Sequence, residues 1–361
     1  MQKPKNSVNQ GTILLLFVLP SLCLILLHEG SSLFPVISAL RWLHTNRTVS
    51  NSTAASLGNA TIQFSMENTS PFQQSKILVV YSGPTSMDRT QAGKNKQELY
   101  HRNMVYFMKH GVDCRHQDTV IVVTREVLPH YSKEIQAMNM EDCLPYNHSV
   151  QLLIREPDCF DLETLRTVVF NSTINLMSYD FFVYVNCGMS GPFRHDNHER
   201  GPWTDPLLSL LSNKVRMSGL TMNCPRHPNR QHVQSFVYAV DNVGLQIILN
   251  ARAIFDCRQL QIKSNVQRYA QIIQLYEIGM SQAIFKAGYG IASLLPLTVL
   301  LPENRTMCTI FDMWSRGGLE ERFGHVLTSN ETLFFKSSRF LPKELAKLIE
   351  YPGDPHWEKS K

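Results

Sequence analysis

From residue 76 onward the chain alternates short continuous apolar runs with longer stretches whose apolar positions recur at helical intervals. Lys76 to Ser82 reads KILVVYS and stops at Gly83-Pro84, the pattern of a strand buried on both faces. Residues 96–110 follow, with Leu99, Met104, Tyr106, Phe107 and Met108 at helical spacing. Thr119 to Val123 and Val150 to Ile154 predict a second and a third strand, 162–170 a helix, and Phe181 to Val185 a fourth strand. His232 to Asp241 reads as one further strand running into a helix over 242–250. A long helical pattern over 264–287 ends at Gly288 before a last strand over 289–295. This alternation predicts an α/β fold, a Rossmann-type and mostly parallel sheet with helices on both faces. Ligands of such sheets sit beyond the carboxyl ends of the strands.

That rule selects three loops: Ser82-Gly83-Pro84, the stretch from Arg155 to Asp161, and Asn186 to Phe193. In the last, Gly188, Gly191 and Pro192 impose a tight turn where the polar Asn186 leaves a buried strand, and backbone amides in such a turn can cradle a diphosphate. An ordinary strand-ending loop is the competing reading. Glu277 lies in the long helix among Tyr276, Ile278 and Met280. A partly apolar setting raises a carboxylate pKa, which suits a general base; the plainer alternative is a salt-bridged surface glutamate.

The first 75 residues have a different character. After Lys3 and Lys5 the chain carries no charge from Ile13 to Leu27. That is about 15 residues, short of the ~20 that span a typical bilayer. A cleaved signal peptide and a short uncleaved anchor both fit, and the lack of a small-residue cleavage site after Leu27 favours the anchor. The expected organisation is a cytosolic tail over 1–12, a single-pass type II transmembrane signal anchor over 13–28, a stem over 29–75, a catalytic domain over 76–340, and a tail over 341–361. Asn-x-Ser/Thr sequons start at Asn46, Asn51, Asn59, Asn68, Asn147, Asn171, Asn304 and Asn330. Chance would give roughly three, so the excess points to a glycosylated lumenal chain, with four sites crowding the stem.

Cysteine usage agrees with an oxidising compartment. Of eight cysteines, Cys23 falls in the apolar run. The odd remainder allows at most three disulfides and leaves one thiol. The 361 residues, 43% hydrophobic and 18% charged, exclude a disordered or fibrous chain. A net charge of +5 without a Lys/Arg stripe argues against nucleic acid as a partner.

Six segments in linear order carry a family resemblance: Arg155, Cys159 and Asp161 in R-x-x-x-C-x-D, YDFFVYVNCGMSGPF at 179–193, PWTDPLLSLL at 202–211, HVQSFVYAVD at 232–241, YEIGMSQAIFKAGY at 276–289 and NETLFFK at 330–336. Together they resemble the rhamnan synthesis F group of glycosyltransferases and its eukaryotic membrane-anchored relatives, over about residues 76–340. The resemblance implies a GT-A-like nucleotide-sugar transferase of the Golgi membrane. It would move a hexosyl or deoxyhexosyl group to a glycan or glycoprotein acceptor.

GT-A enzymes end a strand in an acidic D-x-D that holds Mn or Mg on the diphosphate, whereas this chain has Asn186-Cys187-Gly188 there, and Asp180 lies at the upstream end of the strand. Two routes stay open. Arg194 or Arg200 could neutralise a leaving diphosphate without metal, or His195, Asp196, His198 and Glu199 could supply metal ligands just after the turn. By resemblance, Ser82, Asp161, Asn186, Gly188, Gly191, Arg194, His232 and Gln234 line the donor site, Trp203 and Asp205 meet the acceptor, and Glu277 is the base of an inverting enzyme or, in a retaining one, positions the acceptor. A core tryptophan and a satisfied buried histidine are the competing readings of Trp203 and His232.

Other classes fit less well. A lumenal sulfotransferase needs a cation in the loop after its first strand, and Tyr81 to Thr85 offers none before Arg89. A glycosidase needs two carboxylates at a fixed spatial separation, which a sequence does not reveal. A non-catalytic lumenal carbohydrate-binding protein of the same fold is the alternative that the missing carboxylate at Asn186 keeps open.

Overall fold

A computed structural model describes residues 72, 74–85, 91–137, 143, 145–146, 148–155, 161, 163–193, 201–225, 227–251, 265–308, 316–323, 325–340 and 348. All belong to one compact unit, Met66–Lys361. The predicted tail, anchor and most of the stem lie outside the described residues, as does nearly all of the 341–361 tail. Among the described residues no helix is long and apolar enough to cross a membrane.

The chain begins β1 (Ile77–Ser82), α1 (Gln91–His110), β2 (Asp118–Thr124), α2 (Ser132–Ala137), β3 (Val150–Arg155), α3 (Glu163–Val169) and β4 (Phe181–Asn186). It continues through α4 (Asp205–Leu208), β5 (Val215–Gly219), β6 (Met222–Asn223), β7 (His232–Val233), β8 (Val237–Asp241) and α5 (Asn242–Asn250). The last elements are α6 (Asn265–Ile272), α7 (Ile278–Lys286), β9 (Gly290–Ser293), β10 (Thr298–Leu300) and α8 (Arg316–Phe323). Eight strands form one sheet in the order β10-β9-β5-β8-β4-β1-β2-β3.

The apolar runs explain its centre. Every residue of β1 is buried, as is all of β2 but Asp118, so both faces of these strands are covered. β1 pairs in parallel with β2 and β4, and β2 with β3. The sheet is mixed beyond that point: β8 runs antiparallel to β4 and β5, while β5 and β9 are again parallel. Tyr81 stacks on Phe107 of α1 at 4.2 Å, and Trp203 meets Phe107 and Phe334 edge-on at 6.1 and 5.4 Å. Each such fully buried aromatic contributes about 1.5–3 kcal/mol.

Two expected elements are divided. The strand expected over 232–241 is two, because β7 pairs with β6 in a separate ribbon while β8 joins the main sheet beside β4. Between them Gln234 N bonds Thr221 O and Phe236 O accepts from Asn186 N. The helix expected over 264–287 is broken by a wider π turn over Ile273–Glu277. β5, reading VRMSG, was not foreseen because its arginine and serine interrupt the apolar run.

Disulfides join Cys114 to Cys143 and Cys224 to Cys308. Among the described residues the free thiol is Cys187, which is buried and whose pKa burial pushes up. After β4, Gly191 has φ +130°, and a Cβ there would lie 2.7 Å from Leu333 O and 2.8 Å from Phe334 Cδ1. Gly191→Ala therefore should cost about 1–3 kcal/mol of stability, read as a lowered urea midpoint. An unchanged midpoint would contradict the close approach.

Candidate functional site

The strand order makes a crevice. From β1 the chain proceeds outward through β2 and β3, then returns to place β4 on the opposite side of β1. Such a switch point opens a cleft at the carboxyl ends of the two strands. The last residues of β1 and β4, Ser82 and Asn186, are register partners there. The antiparallel β8 starts at this same edge, so the 234–236 turn stands beside them.

Asp161 reaches the crevice from the loop after β3. Its backbone carbonyl accepts from Ser82 Oγ at 3.3 Å and Tyr184 OH at 2.8 Å, while Ser82 Oγ also meets Thr164 Oγ1 at 2.6 Å. Its carboxylate Oδ2 accepts from Asn186 Nδ2 at 2.6 Å, and Asn186 Oδ1 accepts from Gly188 N at 3.0 Å. Burial raises the Asp161 pKa, and the charge of Glu277 adds to the rise; the Asn186 hydrogen bond and the charges of Arg155 and Lys336 oppose it. Arg155, at the end of β3, is 3% exposed, and burial draws its own pKa down.

Glu277 arrives from the other side, as the last residue of the π turn. Turns of this type occur often at functional sites because the extra residue re-aims a side chain. Its Oε2 accepts from Ser235 Oγ at 2.9 Å, and its Oε1 lies 3.2 Å from His232 Nε2. His232 Nδ1 lies 2.6 Å from Arg230 O, and a carbonyl can only accept, so Nδ1 carries its hydrogen. The second ring nitrogen faces a carboxylate oxygen.

This corrects the expected raised pKa of Glu277. Burial alone would raise it, but the hydrogen bond and charge of His232, the Ser235 hydrogen bond and the charge of Lys336 outweigh burial and hold it below the usual carboxylate range.

Of the residues expected at the donor site, the structure brings Ser82, Asp161, Asn186, Gly188 and His232 to this edge with Glu277. Gly191 shapes the turn behind it. Gln234, 8% exposed, accepts from Thr221 Oγ1 at 2.6 Å within the protein. Trp203 is a correction: it is 3% exposed and its Nε1 donates to Gly111 O at 2.8 Å, so its indole offers no open face to a sugar. Asp205 opens α4, two residues further on. Arg194, His195, Asp196, His198, Glu199 and Arg200 lie outside the described residues. So do the sequons at Asn46, Asn51, Asn59, Asn68 and Asn147. Asn330 is exposed, Asn171 Oδ1 accepts from Thr173 N and Oγ1, and Asn304 Oδ1 accepts from Leu301 N.

Sequence reasoning missed Ser235, Asn103 and Lys336. Two of them stood inside segments that carry the family resemblance, HVQSFVYAVD and NETLFFK, without a role being read from either. Asn103 of α1 is fully buried and donates to Cys187 O and Ser337 Oγ, which ties the turn after β4 to the 335–338 segment.

The described residues of this edge do not fit a divalent cation. Hard cations want several free carboxylate or carbonyl oxygens. Here one Asp161 oxygen and both Glu277 oxygens already have protein partners, and no described group of three His, Cys, Asp or Glu could hold a metal.

No protein-family model matches the chain, and no curated protein matches it. Among solved structures, a mannosyltransferase from Pyrobaculum calidifontis in complex with GDP-Man and Mn2+ is similar at TM-score 0.36 and 10% identity, over 76% of this chain and 65% of that one. A cytidylyltransferase from Leptospira borgpetersenii gives 0.26 and 12%, over 50% of this chain and 64% of that one. A glycosyltransferase involved in glycosylation of the major capsid of PBCV-1 gives 0.25 and 10%, over 55% and 74%. This chain thus spans less than two thirds of the first two.

The pairing of Glu277 has a thermodynamic consequence. Because its folded pKa is depressed, its ionised form stabilises the fold above the ordinary glutamate pKa of about 4.3, and that contribution is lost as pH falls through the folded value. Glu277→Gln should cost about 1.5–3 kcal/mol at pH 6. In urea unfolding the gap from the unaltered protein should shrink at pH 3.5; a gap that widens on acidification would contradict the assignment.

Proposed function

We propose that this edge binds a nucleotide-sugar donor and that the protein is a glycosyltransferase of the secretory lumen, moving a hexosyl or deoxyhexosyl group to a glycan or glycoprotein acceptor. The observation that carries the reading is that Asp161 and Glu277, from segments 116 residues apart, are joined at the switch point of an α/β sheet through Asn186, whose side chain bonds Asp161 and whose amide bonds Phe236 O, next to the Ser235 that bonds Glu277. The six-segment resemblance supports the reaction class. The sequons, the disulfides and the apolar run from Ile13 to Leu27 support a Golgi placement behind a type II anchor.

In this reading Asp161 and Asn186 hold the nucleotide part of the donor, and the fully buried Ser82 fixes the Asp161 backbone from behind. The acceptor oxygen attacks the anomeric carbon, the bond from that carbon to the phosphate oxygen breaks, and the nucleotide leaves with the electron pair. Glu277 takes the acceptor proton. A carboxylate held at low pKa is a weak base towards a resting hydroxyl. It suffices once the attacking oxygen carries positive charge, so proton removal coincides with bond formation. His232 and Ser235 fix the direction in which the carboxylate points.

The test uses the full chain purified in detergent and offered a panel of nucleotide sugars with free nucleotide scored. One donor should be turned over, and Glu277→Gln should slow release about 100-fold or more while the protein stays folded. No release from any donor by a folded chain would overturn the reading in favour of a non-catalytic sugar-binding protein.

A further inference from the structure

Lys336 has no part in the reading above, yet the structure places it beside the turn that leaves β4. Its chain neighbours are both fully buried and both tied to the turn that leaves β4. Phe335 and Ser190 exchange backbone hydrogen bonds of 2.9 and 2.8 Å. On the other side, Ser337 Oγ donates to Gly188 O at 3.3 Å and accepts from Asn103 Nδ2 at 3.0 Å. The lysine backbone is therefore clamped from both sides against Gly188 and Ser190 of the turn that leaves β4.

Its side chain is fixed as well. The ammonium lies 3.5 Å from the ring centroid of Phe236, a cation–π distance. Phe236 is 3% exposed, and its carbonyl accepts from Asn186 N at 2.9 Å, so the ring that steadies the lysine is bonded to the residue standing where a metal-binding carboxylate would be. From there its positive charge acts on both Asp161 and Glu277.

Arg155 is 3% exposed beside Asp161 and Glu163, too deeply buried to meet an entering ligand. Lys336 is only partly buried and can meet a ligand entering the crevice.

We propose that Lys336 is the fixed cation that neutralises the diphosphate of the bound nucleotide, at the place where a divalent metal ion would otherwise be required. This rests on the nucleotide-sugar reading and deepens it: the ligand recognised is a nucleoside diphosphate, and its recognition needs no metal. A lysine supplies one compact, strongly hydrated charge on a flexible stem, and here the stem is held by Phe236 and the backbone by the turn, so little ordering remains on binding. The leaving diphosphate gains negative charge as the sugar departs, and a cation already in place stabilises that charge without rearrangement.

Isothermal calorimetry on the full chain in detergent tests this with UDP, GDP and dTDP, and with UMP, GMP and dTMP for comparison, each in EDTA and in Mn2+. At least one diphosphate should bind in EDTA. Lys336→Gln should weaken that diphosphate at least tenfold and the matching monophosphate by a smaller factor, and Lys336→Arg should restore most of the loss because it keeps the charge. Unfolding midpoints of both variants establish that they are folded; if the glutamine variant is not, Lys336→Met takes its place.

Three outcomes overturn the proposal. Diphosphate binding that appears only with Mn2+ assigns the neutralising role to a metal. Binding to the unaltered chain in EDTA that Lys336→Gln leaves intact assigns it to another residue, with the nucleotide-sugar reading still standing. No binding of any nucleotide by the folded unaltered chain removes that reading and the proposal together.

Discussion

A partly buried carboxylate at the switch point of the sheet is the constraint on which the site depends. Asp161 costs free energy to bury and must be matched by donors and cations. Its partners come from every strand around it: Ser82 ends β1, Arg155 ends β3, and Tyr184 and Asn186 lie on β4. Asn186 also holds Gly188 N through its other amide atom, so the residue that satisfies the carboxylate shapes the turn that follows. Asn103 and Ser337 then tie that turn to the far end of the chain. Satisfying one charge thus brings five distant segments to a single edge.

Glu277 depends on a different local device. A regular helix would have carried it past the crevice, whereas the π turn over Ile273–Glu277 shifts the side-chain directions by one residue. The result is a carboxylate facing His232, which opens β7, and Ser235, which lies in the break between β7 and β8. The two features that departed from the expected elements, a divided strand and a divided helix, meet at this one contact. Local irregularity concentrates where side chains must be aimed.

Much of this architecture was legible in the sequence because it is carried by apolar runs. KILVVYS, TVIVV and FFVYV each form a buried strand where the pattern places one, and the rule that ligands sit beyond strand ends selects Ser82, Asp161 and Asn186, which the structure brings to one edge. The antiparallel insertion of β8 was not legible, since pairing direction depends on which strand a segment meets after a turn rather than on its own pattern. Trp203 misled for a related reason: a tryptophan suits a sugar face or a core equally well, and only its 3% exposure decides. Lys336 was invisible because a lysine after two phenylalanines reads as surface punctuation. Its role depends on Phe236, 100 residues earlier in the chain, and on the clamp made by Ser190 and Gly188.

The most direct measurement is a crystal structure of the protein with its tightest-binding nucleoside diphosphate, grown in EDTA. The account predicts density in the crevice between the ends of β1 and β4, with phosphate oxygens within hydrogen-bonding reach of the Lys336 ammonium. A nucleotide bound at any other edge of the sheet, or one bridged to Asp161 by a metal ion when Mn2+ is supplied and absent from the crevice without it, would contradict it.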